Sequence, residues 1–289
     1  MRAAIKSLGK HVANALPPAT LAGVRSVVLC YHSVHPEASL DSVTPRRFDA
    51  HLNWLAEHCD VVPLREIKRV ASSTARPRVA ITFDDGYRDN YEFAFPSLMD
   101  HGFTATFFVI AGFLEGDRAV RGRLARSWRV SLDEMAPMSW EDARAMSAEG
   151  MEFGSHTWGH VNLARLDDRS AFLELAHSRE LIQERLGENI DAVAYPFGKP
   201  KRHVTARTIS FAARAGYHTG VLVLPRGVRT SDSPLRIPRL VEGETSIQRL
   251  AAEVAGAIDG RGVLHELAPA WLDQFLFPDP VEPPDPREM

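Results

Sequence analysis

Apolar, β-branched stretches alternate along the chain with stretches in which apolar residues recur every three or four positions. The first pattern is typical of buried strands and the second of amphipathic helices. Their regular alternation indicates a mostly parallel sheet with crossover helices, so we assign the chain to the α/β class. The predicted strands are residues 26–31, 78–83, 103–110, 151–155, 191–195 and 217–222.

Three predicted helices are marked by their spacing or by their ends. Apolar steps between residues 48 and 59 predict the first helix, and Ser139 with Asp142 forms the pattern of a capping box that opens the second. Gly187 ends the third, which begins near residue 170. The stretch 114–138 contains several arginines and little periodicity, and we interpret it as an insertion that walls the site.

The two ends of the chain differ from its centre. In residues 1–24, apolar side chains at helical spacing with lysines between them predict a helical extension, which either packs on the domain or lies on a membrane surface. Residues 278–289 are rich in proline and acid, which predicts a disordered tail. One catalytic domain is therefore expected over residues 25–277, with its core at 27–240.

Composition narrows the possible partners and locations. The chain has 289 residues and a formal net charge of −3, so no basic face is expected that would bind nucleic acid. Cys30 and Cys59 are too few and too far apart for a disulfide framework. No apolar run reaches the ~20 residues that span a bilayer. Pro17 and Pro18 interrupt any signal-peptide core, so a cytoplasmic or membrane-peripheral protein is expected.

Two adjacent carboxylates, Asp84 and Asp85, stand at the end of the apolar strand in VAITFDDG. Adjacent like charges are costly unless they are compensated, and a divalent metal could bind one carboxylate while the other handles a proton. The alternative is that the aspartates cap the helix that follows. A second motif, SHTWGH, favours the metal because His156 and His160 stand four residues apart after another strand. One carboxylate and two imidazoles are a usual catalytic zinc set.

These motifs resemble the polysaccharide deacetylases of carbohydrate esterase family four, the NodB-homology domain. The resemblance rests on TFDDG at 82–86, SHTWGH at 155–160 and AYPFG at 194–198, and it covers roughly residues 27–240. It implies a distorted (β/α)7-type barrel with the site at the carboxyl ends of the strands. By the same resemblance, Asp84 is the general base, and Asp85, His156 and His160 bind a divalent metal, most simply zinc, with cobalt or nickel as substitutes.

The AYPFG turn departs from the common form of that family, in which an arginine occupies the position of Ala194 and pairs with the base. RIPRL at 236–240 resembles a subgroup in which an arginine of this late strand takes that part, which here is Arg239. The turn itself, Tyr195, Pro196 and Phe197, is expected to line the substrate groove. The resemblance also implies that the Phe197 N–H stabilises the oxyanion.

The general acid has two candidates. VLCYHSV resembles an early motif of the subgroup that brings a histidine from the first strand, which favours His32. His265, in GVLHEL, echoes the late leucine-histidine motif of the family. A structural histidine is the alternative for both. Trp158, between the two ligands, is expected either to stack on a sugar ring or to pack in the core.

The implied reaction is metal-dependent hydrolysis of a carbon–nitrogen bond other than a peptide bond, in which an N-acetylated amino sugar of a polymer or glycolipid loses acetate. Such a reaction belongs to exopolysaccharide or glycolipid biosynthesis, with carbohydrate as the partner. Two alternatives remain open from the sequence. The same site could act on a formamido sugar or a small amide, or the protein could bind carbohydrate without turnover.

Overall fold

The computed structural model describes residues 25–37, 42–69, 76–128 and 136–267, without the side chains of His265 and Leu267. The expected N-terminal extension, 1–24, and the expected tail, 278–289, lie outside these residues. Within the described ranges, no helix combines the length and the hydropathy needed to cross a bilayer.

A closed ring of parallel strands forms the centre of the molecule. In chain order, the strands are β1 Ser26–Tyr31, β2 Ser33–Val34, β3 Ser42–Val43, β4 Asp60–Val61, β5 Arg78–Phe83, β6 Thr106–Val109, β7 Glu152–Ser155, β8 Ala192–Ala194, β9 Thr219–Val223 and β10 Ile237–Val241. The ring runs β1, β10, β9, β8, β7, β6, β5 and closes through the pairing of β5 with β1. β4 extends the sheet beside the start of β5, and β2 with β3 forms a separate small sheet.

Helices surround this ring. They are α1 Pro45–His58, α2 Phe95–Asp100, α3 Ala111–Leu114, α4 Arg118–Trp128, α5 Trp140–Ala148, α6 Asp168–Leu186, α7 Ala206–Arg214, α8 Ile247–Val254 and α9 Asp259–Leu267. The predicted α/β class and the distorted (β/α)7-type barrel are both confirmed. Because every strand of the ring is parallel, the carboxyl ends of all seven meet at one face of the barrel.

Side chains alternate across the barrel wall and divide the apolar residues into two clusters. Outward positions such as Leu29 and Ile81 pack with the helices in the larger cluster, whereas Val28, Ala80 and Phe108 fill the barrel interior. Gly154 faces the Phe108 ring so closely that a Cβ atom there would lie 2.5 Å from it. The interior is therefore narrow, and any polar side chain at its upper end lies close to its neighbours.

The predicted helix ends and most strand positions agree with the structure. Ser139 and Asp142 form the expected capping box, and Gly187 ends α6 in the left-handed conformation at φ 72°. The strand predicted at 103–110 is shorter, Thr106–Val109, because the Phe103 N–H still bonds the Leu98 carbonyl at the end of α2.

The insertion predicted over residues 114–138 needs a correction within its described part. Instead of an aperiodic stretch, it contains the helix α4, which buries Val120 and Leu124 at a four-residue spacing. Arginines between these apolar positions make the helical periodicity hard to recognise in the sequence. The last residue of α4, Trp128, does contact the predicted site, as described below.

A pair of buried carboxyl groups lies between the barrel and the outer helices. Glu242 directly follows β10 and is 2% exposed, while Glu253 on α8 is 3% exposed. Arg249 donates to Glu253 from the solvent side at 2.8 Å. Burial, together with the neighbouring Glu253 carboxylate, raises the pKa of Glu242 to about 8. The pair therefore retains a proton at neutral pH.

Because the buried carboxyl pair holds this proton only in the folded state, we expect the stability of the protein to depend on pH. In the unfolded chain Glu242 loses its proton near pH 4.5, whereas the folded protein keeps it until about pH 8. The free energy of unfolding should therefore fall from pH 5 to 8, by at most about 1.4 kcal/mol per pH unit, and level off above pH 8. Urea unfolding of Glu242→Gln, which cannot titrate, should show a shallower decline over this window. Glu180→Gln, at an exposed site, is the control, and identical slopes in all three proteins would contradict the prediction.

Candidate metal and catalytic site

The carboxyl ends of the strands bring the predicted site residues together. Asp84 and Asp85 follow β5, His156 follows β7, and His160 lies in the loop after it. All of these except His160, which is half-buried, are nearly fully buried. Residues more than 70 positions apart in the sequence therefore share one small volume.

Three side chains have the geometry of a metal site. The Asp85 Oδ1 atom lies 3.6 Å from His156 Nε2 and 3.7 Å from His160 Nε2. A tetrahedral zinc ion with bonds of about 2.1 Å separates its ligand atoms by about 3.4 Å. Asp85 Oδ1 is also buried without a hydrogen-bond partner within the described part of the chain. The donor set and its spacing therefore fit a divalent cation.

Hydrogen bonds and burial orient these three side chains and affect their ionisation. His156 Nδ1 lies 2.7 Å from the Ala194 carbonyl oxygen, an acceptor, so Nδ1 donates there and Nε2 is the nitrogen near Asp85. Burial holds the pKa of His160 well below its usual value, so this imidazole is neutral. Burial also raises the pKa of Asp85, against the charges of nearby histidines and a hydrogen bond from Tyr87. A bound cation would favour the ionised form of this carboxylate.

The backbone around the site is strained. Asp85, Thr157, His160 and Phe197 all have positive φ angles, between 54° and 74°. Positive φ angles are energetically unfavourable for residues other than glycine, and residues held in this conformation are enriched at functional sites. These four residues all belong to the three motifs identified in the sequence. The surrounding barrel therefore holds the ligands in an otherwise unfavourable geometry.

Arg239 forms a bidentate ion pair with Asp84 inside the barrel. Its two terminal nitrogens lie 2.7 and 2.6 Å from the two carboxylate oxygens, and one of them also donates to Thr82 Oγ1 at 3.1 Å. Burial alone would raise the pKa of Asp84, but the charge of Arg239 outweighs it and the net pKa lies below the usual range. Asp84 is therefore held ionised, the form that accepts a proton.

Strand register explains why these residues meet. Cys30 of β1 pairs with Thr82 of β5, and both side chains face the barrel interior, one step below Asp84. Arg239 reaches the same layer of the interior from β10, which also pairs with β1. Its guanidinium lies 5.5 Å from the centre of the Phe108 ring. Ala194, where the resemblance expects an arginine, has no charged side chain. The positive charge beside Asp84 comes from a different strand.

His32 lies at the same face, directly after β1. One of its ring nitrogens is within 4.8 Å of both an Asp84 oxygen and the Cys30 sulfur. Its carbonyl oxygen accepts a 2.8 Å hydrogen bond from Asn90, which fixes the chain at this point. His265 belongs to α9, but its side chain lies outside the description. Of the two candidate acids, only His32 can be placed relative to Asp84.

The three residues of the turn that were expected to line the groove, Tyr195, Pro196 and Phe197, differ in their exposure. The Phe197 ring lies 4.9 Å from the His160 ring and is half-buried. Tyr195 is 1% exposed and its hydroxyl donates to the Leu235 carbonyl, so its side chain faces the core and not the groove. Pro196 is buried as well. Tyr195 and Pro196 are thus buried, and Phe197 is the more exposed residue of the turn.

Trp158 packs against α3 and does not contact the rings of the metal ligands. A Cβ atom on Gly112 would lie 3.0 Å from its indole nitrogen, which shows how closely the two surfaces fit. Trp128, at the end of α4, contacts the site instead, with its ring centre 6.2 Å from that of His160. Sequence reasoning missed Trp128, although its position eight residues after Val120 is a helical repeat.

Comparison with known proteins identifies a family model and relatives whose sequences are similar to this chain. A family model described as "Polysaccharide deacetylase" matches residues 71–220. The protein YxkH of Bacillus subtilis (strain 168) is 28% identical over 202 residues, which are 68% of this chain and 64% of that protein. The poly-beta-1,6-N-acetyl-D-glucosamine N-deacetylase of Escherichia coli (strain K12) is 23% identical over 259 residues, 79% of this chain and 38% of that protein. The chain thus spans less than two thirds of the length of these two curated relatives.

A solved structure shares the fold. The Streptococcus pyogenes deacetylase PplD, in complex with acetate, superimposes with a TM-score of 0.67 at 25% sequence identity. The match covers 81% of this chain and 99% of that one. Such a score over most of both chains supports the barrel topology described above.

The geometry predicts one tightly held divalent cation per chain. Protein loaded with zinc and then desalted should retain about one equivalent by elemental analysis, because three preformed ligands share a site. Asp85→Ala and His156→Ala should each retain much less than one equivalent. His58→Ala, which alters an exposed histidine on α1, is the control and should behave as the parent chain does. Full zinc retention in both ligand variants would refute the assignment.

Proposed function

The chain belongs to the polysaccharide deacetylase family, and from this premise we propose that it is a metal-dependent hydrolase that removes N-acetyl groups from an amino-sugar polysaccharide or glycolipid. The observation that carries the proposal is the arrangement of Asp85, His156 and His160 around one point, with an ionised Asp84 beside it. His156 Nε2 lies 3.8 Å from Asp84 Oδ2, so the base and the cation site are neighbours. A cation site next to a fixed base suits hydrolysis of an amide.

An amide resists hydrolysis because its carbonyl is a poor electrophile and its amine is a poor leaving group. A zinc ion bound by Asp85, His156 and His160 would polarise the acyl carbonyl and lower the pKa of water. Asp84 accepts the proton of the attacking water, and Arg239 keeps its carboxylate ionised and oriented. The base therefore requires no rearrangement before the water attacks.

Two further groups complete the reaction. The Phe197 N–H donates to the oxyanion of the tetrahedral intermediate. Phe197 has a left-handed φ of 61°, and its ring lies 4.9 Å from that of His160. His32 donates a proton to the departing nitrogen as the carbon–nitrogen bond breaks, and acetate is released. The sugar product carries an amine that is cationic at neutral pH. Deacetylation therefore changes how the polymer or glycolipid interacts with anionic surfaces.

Similarity to named deacetylases supports the choice of substrate. The Escherichia coli relative is named for action on poly-β-1,6-N-acetyl-D-glucosamine, and the Streptococcus pyogenes structure contains acetate. We therefore place N-acetylglucosamine polymers first among the substrates. A formamido sugar or a small amide would occupy the same catalytic centre, and the products distinguish these cases.

The central test is acetate release. Purified protein should release acetate from poly-N-acetylglucosamine or chitin oligomers, lose this activity on exhaustive chelation, and regain it with zinc, cobalt or nickel. Asp84→Asn, which keeps the size of the side chain but removes the base, should lower kcat by about 10²- to 10⁴-fold. An exposed aspartate variant, Asp49→Asn on α1, serves as the matched control.

Three results would contradict the proposal. Activity that survives complete chelation would exclude the metal role, and release of formate or ammonia in place of acetate would favour the alternative substrates. Zinc binding without hydrolysis of any N-acyl substrate would instead favour a carbohydrate-binding protein.

The general acid is tested separately. His32→Ala should lower kcat, because the departing nitrogen then lacks its proton donor. His265→Ala should leave kcat unchanged. An unaffected His32→Ala enzyme together with an impaired His265→Ala enzyme would reverse the assignment.

A further inference from the structure

Both imidazole ligands come from one tight loop, residues 156–160, whose backbone is held from several sides. Thr157 and His160 have φ angles of 66° and 54°. The first two N–H groups of α3 donate to the Thr157 and Trp158 carbonyls at 3.1 and 2.9 Å. The Trp158 N–H donates to the Glu174 carbonyl at 3.0 Å, and the His160 N–H donates to Thr157 Oγ1 at 3.0 Å. These contacts rely on backbone groups or on the loop itself.

The N–H and the carbonyl of Gly159 in this loop are bound by two side chains from other helices. The Gly159 N–H donates to Glu174 Oε2 of α6 at 2.8 Å. The Gly159 carbonyl accepts a hydrogen bond from the Arg123 guanidinium of α4. A Cβ atom at this position would meet Arg123 directly and lie 3.3 Å from Glu174 Oε1. Glycine at 159 is therefore the residue that lets both charged groups reach the backbone.

Neither charged group contributes a ligand atom to the candidate metal site. Both Glu174 and Arg123 are half-buried, and they bind the two successive peptide units that flank the Gly159 Cα atom. Thr157 also interacts with the Glu174 carboxylate through its side chain. The Glu174 carboxylate and the Arg123 guanidinium bind Gly159 from two helices and restrict the loop. The conformation of this loop determines the distance between the two imidazoles.

We propose that Glu174 and Arg123 are positioning residues that set the metal affinity of the site by clamping the loop 156–160 at Gly159. This inference rests on the proposed function, because it presupposes that His156 and His160 bind a metal. A loop with two left-handed residues samples other conformations unless it is constrained, and a ligand that must be ordered on binding lowers the affinity. The clamp removes part of that ordering cost before the metal arrives.

The test measures metal affinity directly. Zinc dissociation constants are determined by competition with a chromophoric chelator for the parent chain, Glu174→Ala and Glu174→Gln. Loss of a group that supports metal ligands typically weakens binding about 10- to 100-fold, and this is expected for Glu174→Ala. Glu174→Gln keeps an oxygen that can accept the Gly159 N–H, so its affinity should lie closer to that of the parent. Arg123→Met should also weaken binding.

A spectroscopic measurement separates positioning from a general loss of stability. The absorption spectrum of the cobalt-loaded protein reports the ligand geometry, and it should change in Glu174→Ala and recover in Glu174→Gln. Ile182→Val is the control, because it alters a fully buried residue on the same helix, α6, about two turns beyond Glu174. It should lower stability but leave the zinc affinity and the cobalt spectrum unchanged.

The outcomes distinguish this inference from the proposed function. Parental zinc affinity and an unchanged cobalt spectrum in Glu174→Ala, alongside lost binding in Asp85→Ala, would overturn the inference alone. An equal loss of affinity in Ile182→Val would also overturn it, by showing that stability and not the clamp is responsible. A parent chain that binds no zinc would overturn both proposals together.

Discussion

A guanidinium group buried inside the barrel is the constraint on which the site depends. Arg239 is 1% exposed, and an unpaired charge at such a depth would cost several kcal/mol. Asp84 supplies the counter-charge in bidentate geometry, and the two groups are held by strands on different sides of β1. Removing either partner would leave the other charge buried and uncompensated. The ion pair thus links the integrity of the barrel to the ionisation of the base.

This pairing also explains the adjacent carboxylates of the TFDDG motif. Two neighbouring aspartates cannot both remain ionised in a buried site without positive charge nearby. Arg239 compensates Asp84, whereas burial raises the pKa of Asp85, and one Asp85 oxygen lies near two imidazoles without a hydrogen-bond partner among the described residues. The two carboxylates therefore differ in role because they differ in neighbours. In the proposed reaction, Asp84 accepts a proton and Asp85 binds a cation.

Rigidity around the site complements these electrostatics. Two of the proposed ligands, Asp85 and His160, and the proposed oxyanion residue Phe197 have positive φ angles. Contacts from α3, α4 and α6 converge on the loop that carries both histidines. A preformed set of ligands binds a metal without first ordering a flexible loop. The fold thus contributes to the chemistry through residues that never touch the reacting atoms.

Sequence alone determined the α/β class, most of the strands and the motifs that carry the candidate chemistry. These features are local, because alternation, capping residues and short motifs depend on neighbours in the chain. Arg239 could also be predicted from the RIPRL motif. The family resemblance expects an arginine at position 194, and this chain has Ala194 there. The meeting of Arg239 with Asp84 across more than 150 residues follows only from barrel closure.

Only the tertiary structure decided which aromatic residue reaches the ligands, where Tyr195 points and which side chains hold Gly159. Trp158 lies between the ligands in sequence, yet Trp128 contacts His160 in space. Glu174 and Arg123 carry no motif, because their role depends on where α6 and α4 pack against a loop. Such contacts join residues that are distant in the chain. Their partners are set by strand register and helix packing, which no local pattern encodes.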